Sequence, residues 1–261
     1  MVVGGLHALS LAVMARVRVR AQAIRGDRAI FDAAETRHLV RVLRLRAGDV
    51  VHAFDGDGLE LTVQLTAVDP RGAAGIVIER FRAGCESPLR LTLVQGVPKG
   101  EKMDGILRMA TELGVEAIAP LLVARTVVRL DAAGWTARRA RWQRVAKESA
   151  KQCGRAVVPT VEEPRSLSDW LSARSPGLLV CLWEGDRRAV VEALPAGPVR
   201  TAALVIGPEG GLDEGEVDTL REAGAVVGGL GPRILRSETA GPVGLALLQV
   251  RYGDLGGPAG C

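Results

Sequence analysis

Residues 201–217 read TAALVIGPEGGLDEGEV, and this stretch decides the fold. An apolar run ends at Ile206, a glycine-rich turn occupies 207–211, and Asp213 with Glu216 supplies an acidic pair at the start of a helix. Glycines at the end of a strand let a ligand approach the backbone, and the carboxyl edge of a parallel sheet is the usual binding crevice of α/β proteins. The turn lacks the Lys-Ser/Thr of a P-loop and is not a GxGxxG fingerprint, which disfavours both of those nucleotide-binding motifs.

The alternation of strand and helix extends over the second half of the chain. Further apolar strands are predicted at 89–97, 116–123 and 178–183, and helices at 102–113, 136–153, 214–223 and 239–251. Such alternation is typical of an α/β domain with a mainly parallel sheet.

The first part of the chain has a different pattern. The run RVRVRAQA from Arg16 alternates polar and apolar residues, a short helix is predicted at 33–43, and turn residues separate strands predicted near 50–55, 59–68 and 75–81. We expect five segments: an apolar leader at 1–15 that reflects a mis-called start, a β-rich domain at 16–83, a linker at 84–88, an α/β domain at 89–253 and a flexible tail at 254–261.

Composition excludes several classes of protein. The chain has 261 residues, of which 48% are apolar and 25% charged, so a disordered or fibrous chain is not expected. No stretch approaches 18 uninterrupted apolar residues, which argues against a membrane span. The four cysteines show no CxxC pairing and no histidine at ligand spacing, so neither a disulfide framework nor a metal site is expected, and the pattern fits a reducing cytoplasm.

The net charge of +4 is unevenly distributed along the chain. Residues 1–52 carry a net +5 and residues 99–155 a net +6, whereas residues 156–261 carry a net −5. The predicted helix near 136–153, continued to Arg155, has seven cations opposed by Glu148 alone. Such segments predict a face that binds the phosphate backbone of a nucleic acid.

A second loop, LGPRILRSETA at 230–240, leads into an apolar C-terminal helix. It combines Arg233, Arg236 and Glu238 with two hydroxyl residues and the apolar pair Ile234-Leu235. Apolar walls beside an arginine would suit an adenosine moiety next to a reacting anion.

Five blocks now define a resemblance, in the order RHLVRVLRLRAGD, PKGEKMDGILRMATELGV, RWQRVAKESAKQCGR, IGPEGGLDEGEV and LGPRILRSETA. They resemble the RsmE family of the SPOUT class, which methylates N3 of a uridine in 16S ribosomal RNA. The resemblance extends from about Arg16 to Tyr252. It implies a trefoil-knotted α/β methyltransferase domain that binds S-adenosylmethionine, preceded by a PUA-like β-barrel. It also implies a homodimer, a substrate within the small ribosomal subunit and a cytoplasmic enzyme of ribosome biogenesis that needs no metal.

The sequence departs from the family pattern at a few positions. Leu212 stands where the family often has an aromatic residue, Val17 and Val19 replace its usual N-terminal aromatics, and Gly241-Pro242 interrupts the start of the last helix. None of these departures touches the glycines or arginines of the two loops.

The resemblance assigns roles residue by residue. The two loops and one strand end would hold the cofactor through Leu182, Ile206, Gly207, Glu209, Gly210, Gly211, Leu230, Gly231, Ile234, Leu235 and Thr239. The basic segments would contact RNA through Arg16, Arg18, Arg37, His38, Arg41, Arg44, Lys99, Lys102, Arg141, Lys147 and Lys151.

Methylation of uridine N3 requires loss of a proton, which predicts a proton acceptor or cations that stabilise the imide anion. Arg236 is the leading candidate for that stabilisation, followed by Arg155. Glu209 or Glu238 could accept the proton, although Glu209 is better suited to bracing its loop through backbone N–H groups.

Two other functions remain compatible with the sequence. The first is another methyltransferase of the same knotted fold, acting on a ribose 2′-oxygen or on tRNA. The second is a non-catalytic RNA-binding factor of ribosome assembly.

Overall fold

The computed structural model describes residues 15–82, 84–175 and 177–257. Most of the predicted leader and the end of the predicted tail lie outside this part of the chain. Two compact units are present among the described residues: one contains 15–86 together with Ala150–Val158, and the other contains Ser87–Ser149 and 159–257.

The first unit is built on a six-stranded sheet. Its strands are β1 (Arg16–Arg18), β2 (Ile24–Arg25), β3 (Arg28–Phe31), β4 (Val50–Phe54), β5 (Leu59–Asp69) and β6 (Gly72–Arg82). The order is β1-β4-β5-β6-β3-β2, and every pairing is antiparallel except that of β1 with β4. The alternation read from the sequence has its expected cause, because Val17 and Val19 are buried in the core of this unit while Arg16, Arg18 and Arg20, which alternate with them, are less buried.

Two local features of the first unit differ from expectation. The predicted helix at 33–43 is a short α-helix, α1 (Ala33–Arg37), that continues as a π-helix over His38–Val42. Asp32 caps it by accepting hydrogen bonds from the N–H groups of Ala34 and Glu35. The hairpin formed by β2 and β3 was not predicted, because two-residue and four-residue strands give almost no periodic signal.

The second unit alternates strands and helices. Its strands are β7 (Arg90–Gly96), β8 (Ala117–Leu122), β9 (Thr160–Val161), β10 (Arg165–Ser166), β11 (Leu178–Leu182), β12 (Thr201–Ile206) and β13 (Val226–Gly228). Its helices are α2 (Lys102–Glu112), α3 (Ala132–Cys153), α4 (Leu167–Ala173), α5 (Val190–Ala193), α6 (Glu214–Glu222) and α7 (Ser237–Tyr252), with the last residues of α3 counted in the first unit.

The sheet of the second unit has the order β10-β8-β7-β12-β11-β13, with β9 paired to β8, and all its pairings are parallel. Both faces are covered by apolar side chains. Leu204 and Ile206 of β12 belong to one core cluster and Val205 to the other, which explains why these strands read as continuous apolar runs.

Helix boundaries in the second unit follow local capping. Helix α6 begins with a complete capping box, in which Asp213 and Glu216 each accept a hydrogen bond from the other's N–H group. Helix α3 starts four residues earlier than predicted, where the Asp131 carboxylate accepts a hydrogen bond from Gly134.

The cysteines depart from expectation at one position. Cys153 and Cys181 take part in no disulfide, whereas Cys85 is disulfide-bonded. Cysteine spacing gives no signal for a single bridge, because pairing depends on proximity in the fold. Within the residues that the structure describes, no helix is long and apolar enough to cross a membrane.

Candidate active site

Three loops meet at the carboxyl edge of the parallel sheet. Leu182, the last residue of β11, is in register with Ile206 at the end of β12 on one side and with Gly228 at the end of β13 on the other. The loops that follow these strands therefore emerge next to one another. Two cavities lie among them: one of about 330 Å³, called here the loop cavity, and an adjoining cavity of about 720 Å³.

The structure brings most of the predicted cofactor residues to these cavities. Those lining the loop cavity are Leu182, Ile206, Gly207, Glu209, Gly211, Ile234 and Leu235, and those lining only the adjoining cavity are Leu230 and Gly231. Two predicted residues line neither. Gly210 uses its carbonyl to accept a hydrogen bond of 2.7 Å from Arg125, and Thr239 is exposed in the first turn of α7.

Glycine is required at two positions of the 207–211 turn. A Cβ on Gly207 would lie 2.7 Å from the backbone carbon of Gly211, and Gly211 itself has a φ of +72°. A Cβ on Gly211 would also clash with the carboxylate of Glu184. The turn thus folds back closely on itself, which leaves backbone rather than side chains at the cavity wall.

A fully buried glutamine supports this turn from below. Gln95, at the end of β7, has no solvent exposure, and its side-chain amide donates hydrogen bonds to the carbonyls of Gly96 (3.1 Å) and Gly207 (3.4 Å). Sequence reasoning missed this residue, because the only available signal was one polar residue inside an apolar strand.

One lysine joins two loops of the site. The Nζ of Lys102 lies 3.0 Å from Glu209 Oε1 and 3.5 Å from Glu238 Oε1. Glu209 also accepts hydrogen bonds from the backbone N–H of Lys99, at 3.1 and 3.2 Å. These contacts are the geometry that a bracing role for Glu209 requires.

The acidic groups of this cluster stay ionised at neutral pH. Partial burial pushes the pKa of Glu209 upward, but hydrogen bonds from Lys102 and from backbone N–H groups outweigh it and place the pKa below its ordinary value. A backbone hydrogen bond is the main cause that lowers the pKa of Glu238, with Lys102 contributing. The hydrogen bond to Glu209 in turn raises the pKa of Lys102.

Two charged side chains face this region with little engagement. Arg236 is 82% exposed and its Nη1 lies 4.0 Å from Glu238 Oε1. Glu184 lines both cavities and makes neither a hydrogen bond nor an ion pair within the described part of the chain. Sequence reasoning missed Glu184, although an acidic residue two positions after a strand end at the binding edge was a usable signal.

Several other predicted site residues are engaged elsewhere. Arg155, a predicted catalytic residue, is 5% exposed in the first unit and donates to Glu86 at 2.8 and 3.1 Å. Among the predicted RNA contacts, Lys151 pairs with Glu35 (2.9 Å), Arg16 with Glu60 (2.6 Å), and Arg141 with both Glu101 (3.0 Å) and Asp104 (2.7 Å). The cationic surface expected on α3 is therefore partly neutralised, because acids from distant parts of the sequence meet it.

The remaining predicted RNA contacts lie in two places. Arg37 at the end of α1, Arg41 on the π-helix and Arg44 after it are exposed in the first unit, with His38 half-buried among them. In the second unit Lys99 is exposed, and Lys147 on α3 is half-buried. Arg18 is half-buried on β1, with a buried Nε that has no hydrogen-bond partner.

The pKa of Glu209 provides a test of this cluster. Lys102→Met removes the ammonium that favours the carboxylate, so the pKa of Glu209 should rise toward the ordinary value of about 4.3. Carboxyl carbon titration by NMR measures it. Because a lowered pKa stabilises the fold above the ordinary value and loses that effect as pH falls through the folded pKa, the variant should also lose less stability on acidification below about pH 4.3.

Lys99→Met is the matched control, since Lys99 contacts Glu209 through its backbone N–H, which the substitution keeps. The pKa of Glu209 should stay lowered in that variant. An equal rise in both variants would contradict the assignment to Lys102.

Comparison with family models identifies both parts of the chain. Residues 85–249 match an RNA methyltransferase domain, and residues 31–78 match an RNA methyltransferase PUA domain. The predicted fold class, a PUA-like domain followed by an α/β domain of the SPOUT type, is confirmed by these matches together with the structural neighbours below.

Several relatives are similar to this chain over most of its length. Ribosomal RNA small subunit methyltransferase E of Bacillus subtilis is 37% identical over 79% of this chain and 83% of its own length, and that of Mycobacterium bovis is 32% identical over 86% and 87%. A Neisseria gonorrhoeae ribosomal RNA small subunit methyltransferase E bound to S-adenosylmethionine superposes with a TM-score of 0.84, at 30% identity, over 93% of this chain and 99% of that one. A putative methyltransferase of Legionella pneumophila in complex with the same cofactor gives 0.86, at 29% identity and the same coverage. The chain therefore belongs to the ribosomal RNA small subunit methyltransferase E family, and it is an S-adenosylmethionine-dependent RNA methyltransferase.

Proposed function

We propose that this enzyme transfers a methyl group from S-adenosylmethionine to N3 of a uridine in 16S ribosomal RNA of the small ribosomal subunit. The observation that carries the proposal is the meeting of the glycine-rich turn and the C-terminal loop around a common cavity, with Arg236 and Glu238 at its border. The relatives, which are ribosomal RNA small subunit methyltransferases, support ribosomal RNA as the substrate. The two structural neighbours with bound S-adenosylmethionine support that molecule as the methyl donor.

The residues present fit S-adenosylmethionine. The two cavities together match the size of a small-molecule site and share Leu182, Ile234 and Leu235 as apolar walls that suit an adenine ring. Backbone of the glycine-rich turn is available to polar groups of the cofactor at Gly207, which lines the loop cavity, whereas the Glu184 carboxylate lies against Gly211. The unpaired carboxylate of Glu184, which lines both cavities, is suited to accept hydrogen bonds from ribose hydroxyls.

When bound, S-adenosylmethionine supplies a methyl carbon bonded to a positively charged sulfur. The N3–methyl bond forms as the sulfur–methyl bond breaks, and N3 gives up its proton. Arg236 is free to move toward the uracil oxygens and to stabilise the anion that forms there, because it is exposed and only loosely paired. Glu238 accepts the N3 proton or relays it to water. Its lowered pKa makes it a weak base, so Arg236 carries the larger part of the activation.

RNA binding is assigned to the cations that remain accessible. In the first unit these are Arg37, Arg41 and Arg44, and in the second unit Lys99. Arg16, Lys151 and Arg155 are assigned to structural ion pairs instead, because each is engaged by a carboxylate inside its own unit. We further propose that the enzyme is a homodimer and acts in the cytoplasm, where small ribosomal subunits are assembled.

Labelled methyl transfer tests the proposed function. Purified enzyme and radiolabelled S-adenosylmethionine are incubated with small ribosomal particles that lack the modification, and the nucleosides are analysed by mass spectrometry. We expect label in 3-methyluridine of 16S ribosomal RNA. Label on a ribose 2′-oxygen, label only in tRNA, or no transfer despite cofactor binding would each refute the proposal.

Glu184→Ala tests the cofactor contact. Losing hydrogen bonds to a charged acceptor costs about 1.5–3 kcal/mol, so the Kd for S-adenosylmethionine should rise about 10- to 100-fold in titration calorimetry. Glu222→Ala, an exposed carboxylate at the end of α6, serves as the control and should leave the Kd unchanged. An unchanged Kd in Glu184→Ala would remove Glu184 from the site.

Arg236→Ala tests the catalytic assignment. With saturating cofactor, kcat should fall about 100-fold, the size expected when one donor to a developing anion is removed. The Kd for S-adenosylmethionine should change little, because the side chain is 82% exposed and only loosely paired with Glu238. Arg251→Ala at the far end of α7 is the charge-matched control and should retain wild-type kcat. Wild-type turnover in Arg236→Ala would exclude Arg236 from catalysis.

A further inference from the structure

A third cavity lies against helix α2. It has a volume of about 380 Å³ and is lined by the face of α2 that carries Gly105, Arg108 and Met109, and by Glu238 in the first turn of α7. Lys102 and Glu238 line both this cavity and the loop cavity, so the two open next to each other. We call it the α2 cavity.

Gly105 is the unusual residue of this cavity. It lies inside α2, where glycine is about 1 kcal/mol less favourable than alanine. Its backbone is not in the left-handed region, and a Cβ built on it would meet no atom within 4 Å. By contrast, a Cβ on Gly244 inside α7 would lie 2.7 Å from Leu182, so that glycine is required by packing. Nothing within the described chain requires glycine at 105, which leaves open space over the helix backbone.

One cation that lines the α2 cavity is available to bind an anion. Two acidic residues that line it, Glu101 at the N-cap of α2 and Asp104 in its first turn, are both engaged by Arg141, at 3.0 and 2.7 Å. Arg108 is exposed and has no hydrogen-bond or ion-pair partner among the residues that the structure describes. The rim of the cavity therefore presents an unpaired cation, Arg108, whereas the acids that line the cavity are each engaged by a cation, two by Arg141 and Glu238 by Lys102.

From this geometry we infer that the α2 cavity receives the target nucleotide, flipped out of the RNA, with its pyrimidine ring over the backbone at Gly105. The inference rests on the proposed function and names the substrate subsite of that same active centre. The ring packs against the thioether of Met109, its N3–H faces Glu238, and a ring oxygen accepts a hydrogen bond from Lys102. Arg108 binds a phosphate that flanks the nucleotide. Uracil has the groups that match these contacts, because its N3–H donor lies between two carbonyl acceptors, one on each side.

Substitutions at Gly105 separate a ligand subsite from a structural role. Gly105→Ala should raise the melting temperature or leave it unchanged, because alanine favours the helix. In the same variant the KM for small ribosomal particles should rise about threefold, and in Gly105→Leu at least about tenfold, since small displacements of a reacting group are costly. The Kd for S-adenosylmethionine should remain at the wild-type value in both. Gly215→Ala in α6, where a Cβ makes only an ordinary contact, is the matched control.

The outcomes decide the inference. Wild-type kcat and KM in Gly105→Ala and Gly105→Leu would overturn it, as would a parallel loss of cofactor affinity. A change of oligomeric state in Gly105→Leu, measured by analytical ultracentrifugation, would assign the space to a second copy of the chain and would also overturn it. If the wild-type enzyme fails to methylate ribosomal RNA, the proposed function itself fails, and that result is distinct from every variant result.

Arg108→Gln provides an independent readout. Removing one phosphate contact should reduce the slope of log binding constant against log salt by about one, measured with the same particles and without cofactor turnover. An unchanged slope would remove Arg108 from the proposed subsite.

Discussion

The close approach of backbone to backbone at the carboxyl edge of the sheet is the constraint on which the site depends. Gly96 at the end of β7 lies so near Gly207 and Pro208 that a Cβ there would clash, and Gly207 is equally close to Gly211. Such contacts are possible only without side chains, so the turn has one shape and exposes its polar backbone groups at the cavity wall. Gln95 fixes that shape from inside the core, because its amide bonds the carbonyls of Gly96 and Gly207.

Much of the architecture was predictable because strong periodic patterns report burial. The runs at β7, β11 and β12 are apolar on both faces, and the core clusters on the two sides of the sheet explain that pattern. The elements that were missed, such as β2, β9 and β10, contain only two residues each and are held by their neighbours rather than by their own pattern. The local sequence pattern does not show which strands will lie beside such short segments.

The candidate site was predictable to the extent that its residues follow strand ends. The two loops were found in this way, and Glu184 could have been found by the same rule. Electrostatics was harder to predict, because charge neutralisation depends on partners far away in the sequence. The sequence of α3 offers one opposing acid, Glu148. In the structure three of its cations form ion pairs with acids outside the helix: Arg139 with Glu163, Arg141 with Glu101 and Asp104, and Lys151 with Glu35. The open space over Gly105 could not be predicted either, because the sequence does not show whether a glycine in a helix packs against a neighbouring element.

The position of Lys102 links the loop cavity with the α2 cavity. One ammonium group holds a carboxylate from the glycine-rich turn and another from the C-terminal loop, and it lines both cavities. A ligand in either cavity that draws on this ammonium changes the electrostatic environment of the other. Such coupling is reciprocal: the factor by which donor occupancy alters the affinity for RNA equals the factor by which RNA alters the affinity for donor. If donor and RNA each draw on this ammonium, one shared cation is enough to make their binding cooperative or anticooperative.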